Sequence, residues 1–486
     1  MDQSYRDAIA TEIDLLIASL QIQQEQGQEQ EHHDGNCENK KIRLSSIYFG
    51  GGTPSLAPIE TIQYIIHHIL APNGIFTLED NAEITIEMDP GTFTKNHMQS
   101  LQQIGFNRIS LGVQSFNNTI LEGIGRVHRH DDIEQAIGII RHVFGSDANY
   151  SLDLISGLPG LTLDLWSETL RMALALDPAP NHLSVYDLQI EQGTTFGKWY
   201  PNNHDDDDDD DDENGNGNGN GNEQDEDEHS QEFKSVTDMT AAVASVLVPS
   251  ASNVHLPLPS AGDCATMYKY ASEYLRCNGF EHYEISSYAR LKQPLADGDE
   301  TIRGHPSGSS SIQQTENESF RSQHNQIYWR IDSEWYAVGL SATSSINGKR
   351  FARKRMLADY IDWVKNQQQS SASQEWKPDW LSPKNNNANN DDHNDENNED
   401  DEETILDTIL TRLRTKEGLD LNWIAAQDKG DNLLQCILKG AELGLELRLA
   451  ERVQGKDDDD DTLRLIDPEG FLFSNTVISS IFAELP

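Results

Sequence analysis

Apolar residues recur along this chain in two rhythms that take turns. Short β-rich runs with a period of two stand at 46–49, 83–87, 108–112, 151–155 and 183–188. Between them the period lengthens to that of helices, at 61–70, Lys95–Ile104, 133–143 and 163–176. Regular β-α repetition with short turns predicts a parallel α/β sheet, closed or partly closed into a barrel. An opening helix places Ile9, Ile13, Leu16, Ile17 and Leu20 on one face, with Asp2 or Ser4 as N-cap and no strand before it. Further on come a helix at 265–278, a strand at 283–287 and an aromatic, Arg-containing segment at 324–355. Residues 404–486 read as helices followed by a β element at 463–466, a small α+β, winged-helix-like domain.

Five stretches lack the apolar residues that offset ordering entropy: 21–40, 200–232, 291–320, 366–403 and 455–462. The organisation expected is therefore a barrel core at 1–200, an acidic insert at 201–232, barrel completion at 233–365, an Asn/Asp insert at 366–403 and the terminal domain at 404–486. Charge follows the same division. The net charge is -46, and 28 acids sit in three runs without Lys or Arg, at 200–230, 391–403 and 457–461. Sequence-independent binding to nucleic acid or anionic membrane needs clustered Lys and Arg, so the charge balance speaks against both classes. The richest apolar stretches, 65–70 and 241–248, are too short to span a bilayer and read as core helices. Four cysteines, Cys37, Cys264, Cys277 and Cys436, form no disulfide framework. The first residues show neither a signal core nor an Arg-rich transit pattern, so the cytoplasm is the default compartment.

In parallel β/α architectures chemistry gathers where strands end. Gly50, Gly51 and Gly52, followed by Thr53 and Pro54, let backbone approach a ligand without a Cβ in the way. Glu87 closes its strand with a carboxylate suited to an amine or sugar hydroxyls, or to pairing with Arg108 or Arg126. Gln114 supplies donor and acceptor together, Arg126 a planar fork, and Asp153 a carboxylate among apolar neighbours that must be paired or bind something. Each also reads as a satisfied barrel residue. Several on successive strand ends, facing one mouth, favour a ligand site.

The series YFGGGTPSL, EITIEMDPGTF, GFNRISLGVQSFNN, IGRVH, LDLISGLPG and LSVYDLQIEQGTTF resembles the radical S-adenosylmethionine proteins related to oxygen-independent coproporphyrinogen III oxidase, closest to the HemW-type haem chaperones. The later YEISSYA and HNQIYW runs are similar to that branch's HN-x-x-YW element. The resemblance implies a partial (β/α) barrel of the radical S-adenosylmethionine type lacking its first strand. It implies that Gly51, Gly52, Thr53, Glu87, Gln114, Arg126 and Asp153 contact S-adenosylmethionine, with Gln189 a further candidate. It also implies a haem-type segment of His324, Asn325, Tyr328 and Trp329, in which Asn325 orients the imidazole and the aromatics supply apolar faces, separate from the strand-end site.

The departures matter equally. Family members carry Cys-x3-Cys-x2-Cys, whose thiolates hold a 4Fe-4S cluster, and this chain has no such triplet. Its cysteines read as plain thiols. The economical expectation is a chain that begins after its cluster motif, inactive in radical chemistry as it stands, which also keeps an organelle open as its compartment. Ser341 and Thr343 stand where relatives tend to show a glycine and a histidine. The resemblance implies haem or porphyrinogen as ligand, with a haem-acceptor protein and an electron donor as partners. A cluster-free haem-binding scaffold, a porphyrinogen-decarboxylating oxidase and a barrel enzyme with another adenosyl or phosphate ligand stay open as alternatives.

Overall fold

A computed structural model describes residues 3–30, 41–71, 74–191, 193–200, 256–292, 319–331, 333–346, 349–371, 396–427, 429–455 and 461–486. The chain opens with α1 (Gln3–Gln30), and then strand and helix alternate. β1 (Ile42–Phe49), α2 (Ile59–Ile69), β2 (Phe76–Met88), α3 (Lys95–Ile104) and β3 (Arg108–Gln114) come first. After α4 (Asn118–Gly123) and α5 (His130–Phe144) the series continues with β4 (Tyr150–Ser156), α6 (Leu163–Ala175), β5 (His182–Asp187) and the short α7 (Thr195–Trp199). Next are α8 (Ala261–Cys277), β6 (Phe280–Glu284) and β7 (Ser287–Arg290). One sheet curls through the order β1-β2-β3-β4-β5-β7-β6, a half-barrel.

Local chemistry explains where these elements stop and start. Thr94 caps α3 by accepting the His97 N–H at 3.3 Å, and the helix ends at Gly105, whose φ of +121° suits glycine. Thr162 caps α6 in the same way, and Ser260 with Asp263 forms a reciprocal capping box on α8. Strand alternation then divides the sheet into two faces. Ile84, Ile86, Leu111, Leu152 and Leu183 turn outward onto Ile62, Met98, Leu101, Ile137 and Trp166 of the helices, making the main core. The opposite face is polar, with Tyr48, Glu83, Thr85, Glu87, Arg108, Ser110, Ser151, Asp153, His182, Ser184 and Tyr186 all on it by the same period of two.

The remaining elements flank this half-barrel: α9 (Gln323–Trp329), the hairpin β8 (Thr343–Ile346) and β9 (Lys349–Ala352), and α10 (Leu357–Ser370). α1 packs on them through apolar residues such as Ala8, Leu16 and Leu20 and through one buried carboxylate. Glu12 accepts from the Gly339 N–H at 2.8 Å, Arg353 Nε at 2.7 Å and Tyr360 Oη at 2.6 Å. The last unit contains α11 (Glu396–Arg412), β10 (Leu419–Asp420), α12 (Leu421–Ala425), α13 (Gly430–Glu446), β11 (Ala450–Gln454) and β12 (Asp461–Leu465). It ends with α14 (Glu469–Leu472) and α15 (Ser474–Phe482). Its sheet order β10-β12-β11 and its separate core of Ile409, Leu421, Ile437, Leu463, Phe471 and Ile481 have the helix-strand-helix-helix-strand-strand succession of a winged helix.

Several expectations change. The predicted strand at 283–287 is the turn of a hairpin, and β7 pairs antiparallel with β5, so the sheet is mixed at that end. α1 runs through 21–30, because Gln and Glu favour helix even where they offer no core. α10 and α11 likewise extend into the 366–403 stretch at its two ends, and β12 begins at Asp461 inside 455–462. Ser4 lies within α1 and does not precede it. The apolar run 241–248, most of 200–232 and 291–320, and Cys37 fall outside the described residues. Among the described residues, no helix is long and apolar enough to cross a membrane.

Candidate functional site

The strand-end residues converge, though mostly on each other's neighbours. Tyr48 Oη donates to Glu87 Oε1 at 2.7 Å, and the Gly51 N–H donates to Glu87 Oε2 at 3.0 Å. Glu87 therefore pairs with neither arginine. Arg108 faces Glu83 at 3.6 Å, and Arg126 Nη1 donates to Asp89 Oδ1 at 3.0 Å while Thr53 Oγ1 donates to Asp89 Oδ2 at 3.0 Å. Burial pushes the Glu87 carboxyl up to about 7, with the Asp153 and Asp89 charges adding to it and the Tyr48 and Gly51 donors opposing. Asp153 is raised by burial too, against the Ser184 and Ser110 hydroxyls and the Arg108 charge.

The backbone at this mouth is unusual in two places. Gln114 holds a φ of +64°, which a non-glycine residue rarely adopts, beside a register shift between Gly112 and Gln114. A Cβ on Gly112 would meet Asp89 Oδ1 at 2.8 Å and Gln114 Nε2 at 3.0 Å, so the glutamine amide lies over that glycine. Gln114 Oε1 and Arg126 Nε are buried and have no hydrogen-bond partner. A buried polar atom left in that state is costly, and it points to a partner the protein itself does not supply.

Gly51 has a φ of +118°, and neither it nor Gly52 has an atom within 4 Å of where a Cβ would stand. The glycine that packing demands is Gly50, whose Cβ would lie 2.7 Å from Tyr48 Cε1 and 3.1 Å from Glu87 Oε1. Sequence reasoning missed Tyr48, Asp89 and Ser110 as members of this site. Position along the strands would have found the first two, each two residues from a residue already singled out. Gln189 sits exposed beyond β5, apart from this group.

The aromatic segment is not separate from the mouth. His324 stacks on Tyr48 with ring centroids 4.0 Å apart and planes 9° from parallel. Its Nε2 lies 3.1 Å from Tyr328 Oη, whose ring meets it edge-on at 5.0 Å. Burial, aided by the Arg108 charge, lowers the imidazole to about 3, so it is neutral. The Asn325 backbone N–H donates to Ser322 Oγ, the cap of α9. The Trp329 backbone carbonyl accepts from Arg412 Nη1 at 2.9 Å.

A half-barrel of five parallel strands with a glycine turn and polar groups at its strand ends defines a class, and residues 38–173 match the model of the radical SAM superfamily. The chain carries a radical SAM domain. It is 34% identical over 323 residues to a heme chaperone HemW of Synechocystis sp., covering 66% of this chain and 58% of that protein. It is 38% identical over 200 residues to the mitochondrial radical S-adenosyl methionine domain-containing protein 1 of Dictyostelium discoideum, covering 40% of this chain and 44% of that one. Among solved structures, the radical SAM enzyme coproporphyrinogen III oxidase, HemN, of Escherichia coli has a TM-score of 0.59 at 17% identity, covering 100% of this chain and 85% of that one, a likeness of fold. The chain thus spans under two thirds of the length of these curated relatives.

Proposed function

We propose that the mouth around Glu87 binds S-adenosylmethionine and that the chain works in haem or porphyrin handling, as a radical SAM protein of the HemW type. The observation carrying this reading is the pair of unpartnered buried atoms, Gln114 Oε1 and Arg126 Nε, beside a glycine turn with open space above it. Three carboxylates, Glu87, Asp89 and Asp153, gather near Arg126 and Arg108, which suits a ligand carrying a sulfonium and an ammonium. In this reading Gly51, Gly52 and Thr53 border the ligand, Glu87 accepts from its amine or ribose hydroxyls, Gln114 pairs with a polar edge, Arg126 offers Nε to its carboxylate, and Asp153 completes the rim, with the exposed Gln189 outside it. In radical SAM chemistry the bound cofactor supplies a 5'-deoxyadenosyl radical when a reduced 4Fe-4S cluster cleaves it.

The chain's cysteines do not fit that cluster. Cys264, Cys277 and Cys436 are free and distant in sequence, and among the described residues no group of three or more His, Cys, Asp or Glu could hold a metal ion. We derive no radical step. Toward haem, the neutral His324 imidazole is in the state iron requires, with Tyr328 on Nε2 and with Asn325 and Trp329 in the same short helix. The similarity to heme chaperones supports this direction, with a haem acceptor and an electron donor as partners. The Dictyostelium relative's name suggests a mitochondrial setting, with the cytoplasm as the alternative. A cluster-free haem-binding scaffold is the second reading, favoured by the scattered cysteines.

Calorimetry with S-adenosylmethionine and Soret-band titration with haemin test this on the full chain. Saturable binding of both is expected. Binding of haemin alone favours the scaffold reading, and binding of neither overturns the proposal.

A further inference from the structure

The polar group that orients Glu87 is itself held in place by the aromatic segment. Tyr48 lies between two walls. On one side, the backbone of Gly50 stands so close that a Cβ there would touch the tyrosine ring at 2.7 Å. On the other, the His324 ring covers its face at 4.0 Å. The phenol has one well-packed setting, and in it the hydroxyl reaches Glu87 Oε1 at 2.7 Å.

His324 is fixed in turn from several directions. Its N–H donates to Glu83 Oε1 at 3.4 Å, and the Ser322 hydroxyl donates to the same oxygen at 3.3 Å. Glu83 and Glu87 lie four residues apart on one face of β2, so a single strand anchors both the start of α9 and the carboxylate that Tyr48 orients. Behind the imidazole, Tyr328 engages Nε2 and packs edge-on against Trp335 at 4.9 Å. Tyr328 uses the imidazole Nε2, whereas the contact that holds Tyr48 uses only the face of the ring. A flat ring at position 324 suffices to hold Tyr48.

We propose that Tyr48 is the positioning residue for Glu87 and that the ring of His324 is the clamp that keeps it there, so that the aromatic segment and the strand-end carboxylate act as one unit. The proposal rests on the adenosylmethionine reading of this mouth and adds a regulation to it. A haem that draws His324 off Tyr48 releases the phenol and leaves Glu87 with one of its two donors. Haem at the segment and S-adenosylmethionine at the mouth are then linked negatively, each weakening the other by the same factor.

The test uses the full chain with four variants: Tyr48→Phe, His324→Ala, His324→Phe and the double variant Tyr48→Phe/His324→Ala. Calorimetry with S-adenosylmethionine reads the loaded site. Tyr48→Phe and His324→Ala are each expected to weaken binding about tenfold, the scale of one hydrogen bond to a charged group. His324→Phe is expected to restore parental affinity, and the double variant to be no weaker than Tyr48→Phe alone. A second readout needs no ligand, namely the titration of the Glu87 carboxyl followed by carbon-13 NMR. The charged or titratable groups facing it are Tyr48, Asp89, Asp153, Tyr186 and Tyr328. Losing the Tyr48 donor is expected to move its midpoint up in Tyr48→Phe and in His324→Ala but not in His324→Phe. If His324→Ala leaves the Glu87 midpoint at the parental value while Tyr48→Phe shifts it, the clamp is refuted. If Tyr48→Phe shifts nothing, the positioning role is refuted. A parent chain that binds no S-adenosylmethionine overturns the reading of the mouth, while the ligand-free titration still decides this inference.

Discussion

Arg126 gives Nη1 to Asp89 at 3.0 Å and keeps its buried Nε without a partner. The ion pair fixes the guanidinium and leaves one buried N–H unsatisfied. Its backbone is fixed as well, since the Arg126 N–H donates to the Leu121 carbonyl at 2.8 Å and Arg129 Nη1 donates to its carbonyl at 2.6 Å. Such an arginine serves as a preset donor and needs no rearrangement to meet a carboxylate.

Arg126→Ala should therefore weaken S-adenosylmethionine binding by about tenfold to a hundredfold, the range for a charge-assisted contact. It should also destabilise the fold, because Asp89 keeps only Thr53 as a side-chain donor. Calorimetry and denaturant unfolding separate the two. Unchanged affinity in the variant would place the ligand elsewhere.

The glycine turn should respond unequally to substitution. Gly50→Ala drives a methyl into Tyr48 and Glu87 and is expected to lower both affinity and melting temperature. Gly52→Ala, which meets nothing within 4 Å and needs no positive φ, should fold normally. Any loss of binding in Gly52→Ala then reports contact with the ligand itself.

The Glu87 contribution to stability should fall as pH rises from about 4.5 to about 7, while His324, lowered to about 3, acts the other way up to about 6.5. The unfolded Glu87 carboxyl ionises near 4.5, the folded one only near 7, so across that window the unfolded state gives up its proton first and gains. Glu281 acts in the opposite sense. Burial would raise it, yet Arg321 and Lys416 bring it down to about 2, so its contribution is present above about 4.5 and is lost as acid takes the pH through 2. Glu87→Gln should remove the falling contribution, so that stability measured by urea unfolding rises more steeply between about pH 4.5 and 7 than in the parent, and should leave the Glu281 acid limb intact.

Glu281→Ala should cost about 3 to 5 kcal/mol. Arg321 is buried and forked on Glu281, with Nε and Nη2 each at 2.8 Å, and removing the carboxylate leaves a buried charge held only by Glu417. Guanidinium unfolding reads the loss. Glu281→Gln should recover part of it, since the amide oxygen still accepts one bond.

The winged-helix-like unit should loosen when Asp467 is replaced. Its carboxylate takes His282 Nδ1 at 2.7 Å and Ser272 Oγ at 2.7 Å, and Arg276 Nε lies 3.2 Å away, all from the barrel side. Asp467→Ala is expected to lose about 2 kcal/mol or more, because three donors are orphaned at once. Limited proteolysis should then release the segment after residue 404 sooner than in the parent chain. Equal resistance would show that the remaining contacts, the Arg321–Glu417 and Lys416–Glu281 pairs and the packing of Tyr268 among them, hold it without Asp467.

Strands 46–49 to 183–188, the helices between them and the polar residues at the strand ends were legible in the sequence, because they rest on local periodicity. An apolar period of two or near four is imposed by the backbone itself, and the end of a strand is marked by the glycines and prolines that stop it. Partners were a different matter. That Glu87 would take Tyr48 and the Gly51 N–H, leaving Arg126 to Asp89, depends on the parallel register of β1 against β2, which places Phe49 opposite Ile86 after a shift between Leu44 and Ser46. That His324 would lie on Tyr48 depends on α9 folding back over the edge of β1 from far along the chain, a contact with no local signature. The antiparallel pairing of β7 with β5 has the same origin, since a short strand has the same pattern whichever way it runs. Sequence determined which residues carry chemistry, and only the packing of distant segments decided which of them meet.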